Sequence, residues 1–158
     1  MTRQQILQAI PHRDPFLLVD EIVGWADGRI ECTKRFTGEE AFFAGHYPGF
    51  PLVPGVLLCE AAMQCGAILL SKHLTRGDGR VPVAARMNDV RFKRMVRPGD
   101  TIRMEVELAD RLAETFFLKA KVTVDGQLAV RFEFTCTAAA VGRAMGNGPE
   151  ARAGAADP

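Results

Sequence analysis

One stretch of this chain constrains its fold more than any other. After Pro54-Gly55, the residues Val56, Leu57, Leu58, Ala61, Ala62, Met63, Ala67, Ile68, Leu69 and Leu70 predict a helix with apolar groups on nearly every side. Such a helix has no face to offer solvent, so it belongs at the centre of a domain with other elements wrapped around it. The run is too short to span a bilayer, and Glu60 and Gln64 interrupt it before Ser71-Lys72-His73.

The wrapping elements follow from a change of period. Ile102, Met104, Val106 and Leu108 alternate with Arg103, Glu105 and Glu107. Phe116, Leu118, Ala120, Val122 and Val124 do the same against Phe117, Lys119, Lys121 and Thr123. Asp125-Gly126 predicts a tight hairpin, beyond which Leu128, Val130, Phe132, Phe134 and Cys136 continue the apolar face. Arg97-Pro98-Gly99-Asp100 holds Pro and Gly in the order of a type II turn. Upstream, residues 17–25 and 29–36 read as strands joined at Asp27-Gly28, and residues 81–86 and 88–93 as two more strands or one bent one. Thr2 with Gln5 reads as a capping box opening a short helix that carries Ile6, Leu7 and Ile10 and stops at Pro11. Thr75-Arg76-Gly77-Asp78-Gly79 reads as an exposed loop. An antiparallel sheet with one apolar face thus meets a single apolar helix able to fill it, which is an α+β arrangement.

A chain of 158 residues suffices for one such domain, expected over residues 1–141, with the Gly-, Ala- and Pro-rich residues 142–158 as a disordered tail. The formal charge of +1 creates no field that would draw in nucleic acid or an anionic membrane. The polar N-terminus carries no secretory pattern, so a cytoplasmic protein is expected. Cys32, Cys59, Cys65 and Cys136 form no Cys-x-x-Cys pair and have no histidine at ligand spacing. They read as reduced packing residues, and neither a metal nor an organic cofactor is called for.

Glu60 is the one acid on the apolar helix, where packing alone would not place a carboxylate. It either marks a solvated edge or carries chemistry. Gln64 lies one turn later on the same face. His46 sits in a loop stiffened by glycines and prolines just before the helix, and alone it would read as a hydrogen-bonded turn histidine. Gly55 opens the helix, where a free N–H and the positive end of the helix dipole could hold a developing oxyanion. Together these groups suit elimination of water beside a thioester carbonyl. His46 would take the α proton, and Gly55 with Gln64 would bind the substrate and its oxyanion. Glu60, kept protonated by apolar surroundings, would protonate the departing hydroxyl.

The run from Phe42 to Gln64, with Gly45-His46-Tyr47-Pro48-Gly49-Phe50-Pro51 and Pro54-Gly55 followed by Glu60 and Gln64, resembles the signature of bacterial 3-hydroxyacyl-[acyl-carrier-protein] dehydratases. So do Pro11-His12-Arg13-Asp14-Pro15-Phe16-Leu17-Leu18-Val19-Asp20 and the segment Val90–Asp100. The resemblance covers residues 3–138. It implies a hot-dog fold, in which an antiparallel sheet wraps one long helix. It implies a homodimer, often a trimer of dimers, with His46 and Glu60 of one site supplied by different subunits. It also implies an apolar tunnel for the acyl chain, with the phosphopantetheine arm of an acyl carrier protein entering from outside. Asp14 stands where the family usually has an aromatic residue and Arg86 where a small one is common, so both bear on tunnel shape.

The basic residues Arg91, Lys93, Arg94 and Arg97 would steer an acidic carrier protein, or else guard a solvated strand edge. No groove of stacking aromatics argues for nucleic acid there. His12 reads as structural, holding the turn between Pro11 and Pro15, and His73 as a helix cap or a solvent-facing residue. The rival functions are a thioesterase on the same fold, which would leave His46 idle, a hydratase acting on CoA thioesters, and a non-catalytic acyl-binding scaffold.

Overall fold

The computed structural model describes residues 3–74 and 79–140. Helix α1 (Arg3–Ala9) leads to β1 (Glu21–Ala26) and β2 (Arg29–Arg35), a short 3-10 turn (Ala41–Ala44) and helix α2 (Gly55–Leu70). Then come β3 (Arg80–Phe92), β4 (Thr101–Leu112), β5 (Thr115–Val124) and β6 (Gln127–Ala140). The strands form one antiparallel six-stranded sheet in the order β1-β2-β4-β5-β6-β3, so β1 and β3 are its edges. The sheet wraps α2, as the hot-dog expectation requires. Leu58, Ala61, Ala62, Cys65, Ile68, Leu69 and Leu70 of the helix are buried against Ile102, Met104, Val106, Phe116, Leu118, Val122, Val130 and Phe134 of the sheet. No described helix is long and apolar enough to cross a membrane.

The turns form where expected. Asp125 and Gly126 take φ of 49° and 76°, the pair of positive values that a type I′ hairpin needs. Gly99 takes φ 93° while the Asp100 N–H donates to the Arg97 carbonyl at 3.1 Å, completing the type II turn. Helix α2 stops at Ser71. The proposed cap at Thr2, most of the loop after Thr75 and the tail beyond 141 lie outside the described residues.

Two details differ from the sequence reading, at the first strand and in β6, and β3 takes the second of its two expected forms. The first strand begins at Glu21, not 17, because the chain at 16–18 bonds to a side chain instead of a strand. Gln64 Oε1 accepts the Leu18 N–H at 2.8 Å, and Gln64 Nε2 donates to the Phe16 carbonyl at 2.8 Å. Residues 80–92 are one strand, bent by register shifts at Ala84/Arg86 and Asn88/Arg91, with Asp89 at φ 48°. In β6 the register slips between Val122 and Thr123 of its partner, so Ala129 is fully buried and Leu128 only half-buried. The bulged Ala129 carbonyl takes the Lys93 N–H at 2.7 Å and the Arg94 N–H at 3.3 Å, which anchors the basic segment after β3.

Helix and sheet touch closely at Gly66, where a Cβ would stand 2.7 Å from Cζ of the buried Phe134. Gly66→Val is therefore expected to cost about 1–3 kcal/mol by overpacking. Urea unfolding would show it as a lower midpoint at constant slope. An unchanged midpoint would mean that the helix stands further from the sheet.

Candidate active site

The loop before α2 aims His46. The His46 N–H donates to the Phe42 carbonyl at 2.9 Å, Tyr47 turns the chain at φ 53°, and Gly49 follows at φ 85°. His46 Nδ1 lies 2.9 Å from the Leu52 carbonyl. A carbonyl can only accept, so Nδ1 carries the hydrogen and, in the neutral ring, Nε2 is a bare base. The ring shares a cavity of about 740 Å³ with Tyr47, Gly55, Val56 and Phe92. Gly55 is the first residue of α2, and the helix start has no side-chain cap. Its N–H therefore sits at the positive end of the helix with room for a ligand oxygen. Any side chain there would strike Phe92, whose ring atom lies 2.7 Å from a Cβ built on Gly55.

Glu60 lies in a different cavity, of about 290 Å³, with Pro11, His12, Gln64, Val83 and Cys136 among its walls. The carboxyl is partly buried, with 23% of the side chain exposed, and its Oε1 accepts from Gln64 Nε2 at 3.0 Å. Burial pushes the Cys136 thiol up to about 11, so it adds a neutral, soft wall. Gln64 was expected to bind substrate. The structure buries it and commits its amide to Phe16, Leu18 and Glu60, while it remains part of the wall of the Glu60 cavity. His46 and Glu60, expected as a pair, thus line separate cavities of the same chain.

His12 departs most from its expected role. The turn is held by Arg13, whose guanidinium donates to the carbonyls of Leu7, Ile10 and His12 at 3.0, 2.8 and 2.7 Å. His12 faces Glu60 instead, with Nε2 3.7 Å from Oε1. Nothing in the local spacing around His12 signals that meeting, since 48 positions separate the two residues. His73 caps the end of the helix through its backbone, its N–H donating to the Leu70 carbonyl at 2.8 Å, while its ring packs 6.1 Å from that of Phe116.

The basic residues divide. Lys93 and Arg94 line the His46 cavity, Arg91 pairs with Asp89 at 2.8 Å, and the Arg97 guanidinium lies 5.1 Å from the centre of the Phe50 ring. Arg94 also donates to Gln127 Oε1 at 2.7 Å. Asp14 pairs with Arg3 at 2.5 Å and Arg86 donates to Asn88 at 2.8 Å, so both are engaged outside these two cavities. The four cysteines are buried free thiols, with the Cys65 and Cys32 sulfurs 3.0 Å apart. A third cavity, on the outer sheet face, is lined by charged residues such as Arg29, Glu105 and Lys121 that pair among themselves, and it holds none of the candidate groups.

Comparison with known proteins adds an independent line. Residues 10–133 match the model of the FabA-like domain. A 3-hydroxyacyl-[acyl-carrier-protein] dehydratase FabZ from Clostridium perfringens is 44% identical over 130 residues, covering 82% of this chain and 92% of that protein. The FabZ of Staphylococcus carnosus is 43% identical over 132 residues, covering 83% and 90%. Among solved structures, a chain of the dehydratase heterocomplex ApeI:P from Xenorhabdus doucetiae superposes with a TM-score of 0.73 at 14% identity, covering 85% of this chain and 90% of that one. A hypothetical thioesterase from Streptococcus pneumoniae, solved with coenzyme A, superposes at 0.59 with 14% identity, covering 76% and 88%. Likeness at that identity speaks for the fold alone.

Proposed function

The chain belongs to the FabA-like family, and from that premise we propose how it works as a 3-hydroxyacyl-[acyl-carrier-protein] dehydratase. It is a lyase of fatty-acid or related acyl-chain biosynthesis that converts a 3-hydroxyacyl thioester to the 2-enoyl thioester and water. The observation that carries the site assignment is the His46 Nδ1 contact with the Leu52 carbonyl, which leaves Nε2 bare at the mouth of a helix N-terminus.

His46 Nε2 removes the α proton as the electron pair moves toward the carbonyl oxygen. The Gly55 N–H and the α2 dipole stabilise that oxygen. The electron pair then forms the carbon–carbon double bond, the β carbon–oxygen bond breaks, and Glu60 gives its proton so that water leaves. His46 ends as imidazolium and Glu60 as carboxylate, and proton exchange with solvent resets both.

The working unit in this reading is a two-fold homodimer, which the family resemblance extends to a trimer of dimers. Strand β3 is a long edge strand with Val83, Met87 and Phe92 exposed, a ready template for pairing with a copy of itself. Residues 81–84 of β3 border the Glu60 cavity, whereas Phe92 at its other end borders the His46 cavity. Antiparallel pairing of two β3 strands would set each Glu60 cavity against the partner's His46 cavity. The exposed Tyr47, Val56 and Met95 around His46 are further surface for a second copy. The buried thiols accord with the reducing cytoplasm.

The test supplies 3-hydroxyacyl chains on carrier protein and on CoA and follows enoyl and free thiol. Enoyl product is expected, and free thiol at a comparable rate without enoyl would move the protein to the thioesterases. If Lys93, Arg94, Arg91 and Arg97 steer the acidic carrier, kcat/KM for the carrier-bound substrate falls as salt rises while that for CoA changes less. Equal salt sensitivity would reduce these residues to a solvated edge.

A further inference from the structure

We propose that His12 is a positioning residue for the acid, holding the Glu60 carboxyl so that Oε2 delivers the proton. The inference rests on the dehydratase reading above and adds a residue to its acid half. His12 comes from the link between α1 and β1, packed beside α2 at the Glu60 cavity. Its Nε2 faces the same Oε1 that accepts from Gln64. Its Nδ1 is buried and has no hydrogen-bond partner among the described residues.

The two neutral tautomers have unequal consequences. With hydrogen on Nδ1, a buried N–H would be stranded and a bare lone pair would face the carboxyl oxygen. With hydrogen on Nε2, a donor faces Oε1 and only a lone pair remains unpaired at Nδ1. The second form is favoured. At 3.7 Å the contact is longer than a hydrogen bond, and a small rotation of the carboxyl closes it, as catalytic contacts tighten on substrate binding. Two donors on Oε1 then mark it as the accepting oxygen, and the transferable proton sits on Oε2. Of the other described residues lining this cavity, only Cys136 titrates, and its raised thiol stays neutral.

The test compares His12→Phe and His12→Gln in the full chain, with and without Glu60→Gln, using a carrier-bound 3-hydroxyacyl substrate. Loss of the donor in His12→Phe should lower kcat about tenfold with KM little changed. The Gln amide can place an N–H near the position of ring Nε2, and it should bring kcat back to within about threefold of wild type. In the Glu60→Gln background His12→Phe should cost nothing further, because His12 acts only through that carboxyl. The inference is overturned if His12→Phe keeps wild-type kcat, if Gln loses as much as Phe while thermal unfolding is unchanged, or if the loss persists without Glu60. Should the Phe variant unfold, His12→Asn, whose shorter amide stops near the position of ring Nδ1, takes its place in each of these comparisons. A wild-type enzyme that forms no enoyl product overturns the dehydratase reading and this inference together, whereas an active wild type with any of the three outcomes above overturns His12 alone.

Discussion

Glu60→Gln is expected to lower kcat about a hundred- to ten-thousandfold, the range that a general acid contributes. The amide has the shape of the carboxyl, so its oxygen can still accept from Gln64 Nε2, and the link from α2 to the chain at Phe16–Leu18 remains intact. What disappears is the proton. The leaving hydroxyl must then depart without protonation, which raises the barrier while leaving ground-state binding nearly as it was. KM should therefore move little, and thermal unfolding should match the parent. Measurement of enoyl formation under single-turnover conditions checks the chemical step directly. A variant within a few-fold of the parent would show that the proton comes from elsewhere.

Mixing two dead proteins should restore activity. His46→Ala lacks the base and Glu60→Ala lacks the acid, so either homodimer is inactive. If each site takes His46 from one chain and Glu60 from the other, the heterodimer holds one doubly damaged site and one intact site. With equal amounts and random pairing, about a quarter of all sites regain activity. If both residues served one site from the same chain, every site would carry a lesion and activity would stay at background. Co-expression with two tags, followed by tandem purification, isolates the heterodimer. A heterodimer of correct mass that makes no enoyl product would end the shared-site reading. The separate cavities of His46 and Glu60, bordering opposite ends of the exposed edge β3, are the physical reason to expect recovery.

Much of this molecule is legible in its sequence. The all-round apolar character of residues 56–70 dictates a buried central helix, because no other placement shields those side chains. The alternation along β4 and β5 and the turns at Asp125-Gly126 and Pro98-Gly99 are equally local, since each depends on residues a few positions apart. Residue type, rigidity and helix position also single out His46, Gly55 and Glu60 as candidates for chemistry. Tertiary packing decided what no period records. Leu17, Leu18 and Val19 have the composition of a strand, yet the Leu18 N–H goes to Gln64, 46 positions away, because an amide side chain offers the backbone the same donor and acceptor as a neighbouring strand. The Ala129 bulge moves burial from Leu128 to Ala129 at the start of β6, and the alternation by itself gives no sign of the slip. His12 reads as a turn residue until Arg13 takes the turn carbonyls and the link packs its ring against the acid. Sequence determined which groups are chemically capable. Only the folding of a distant link and an edge strand against one helix decided which of them meet.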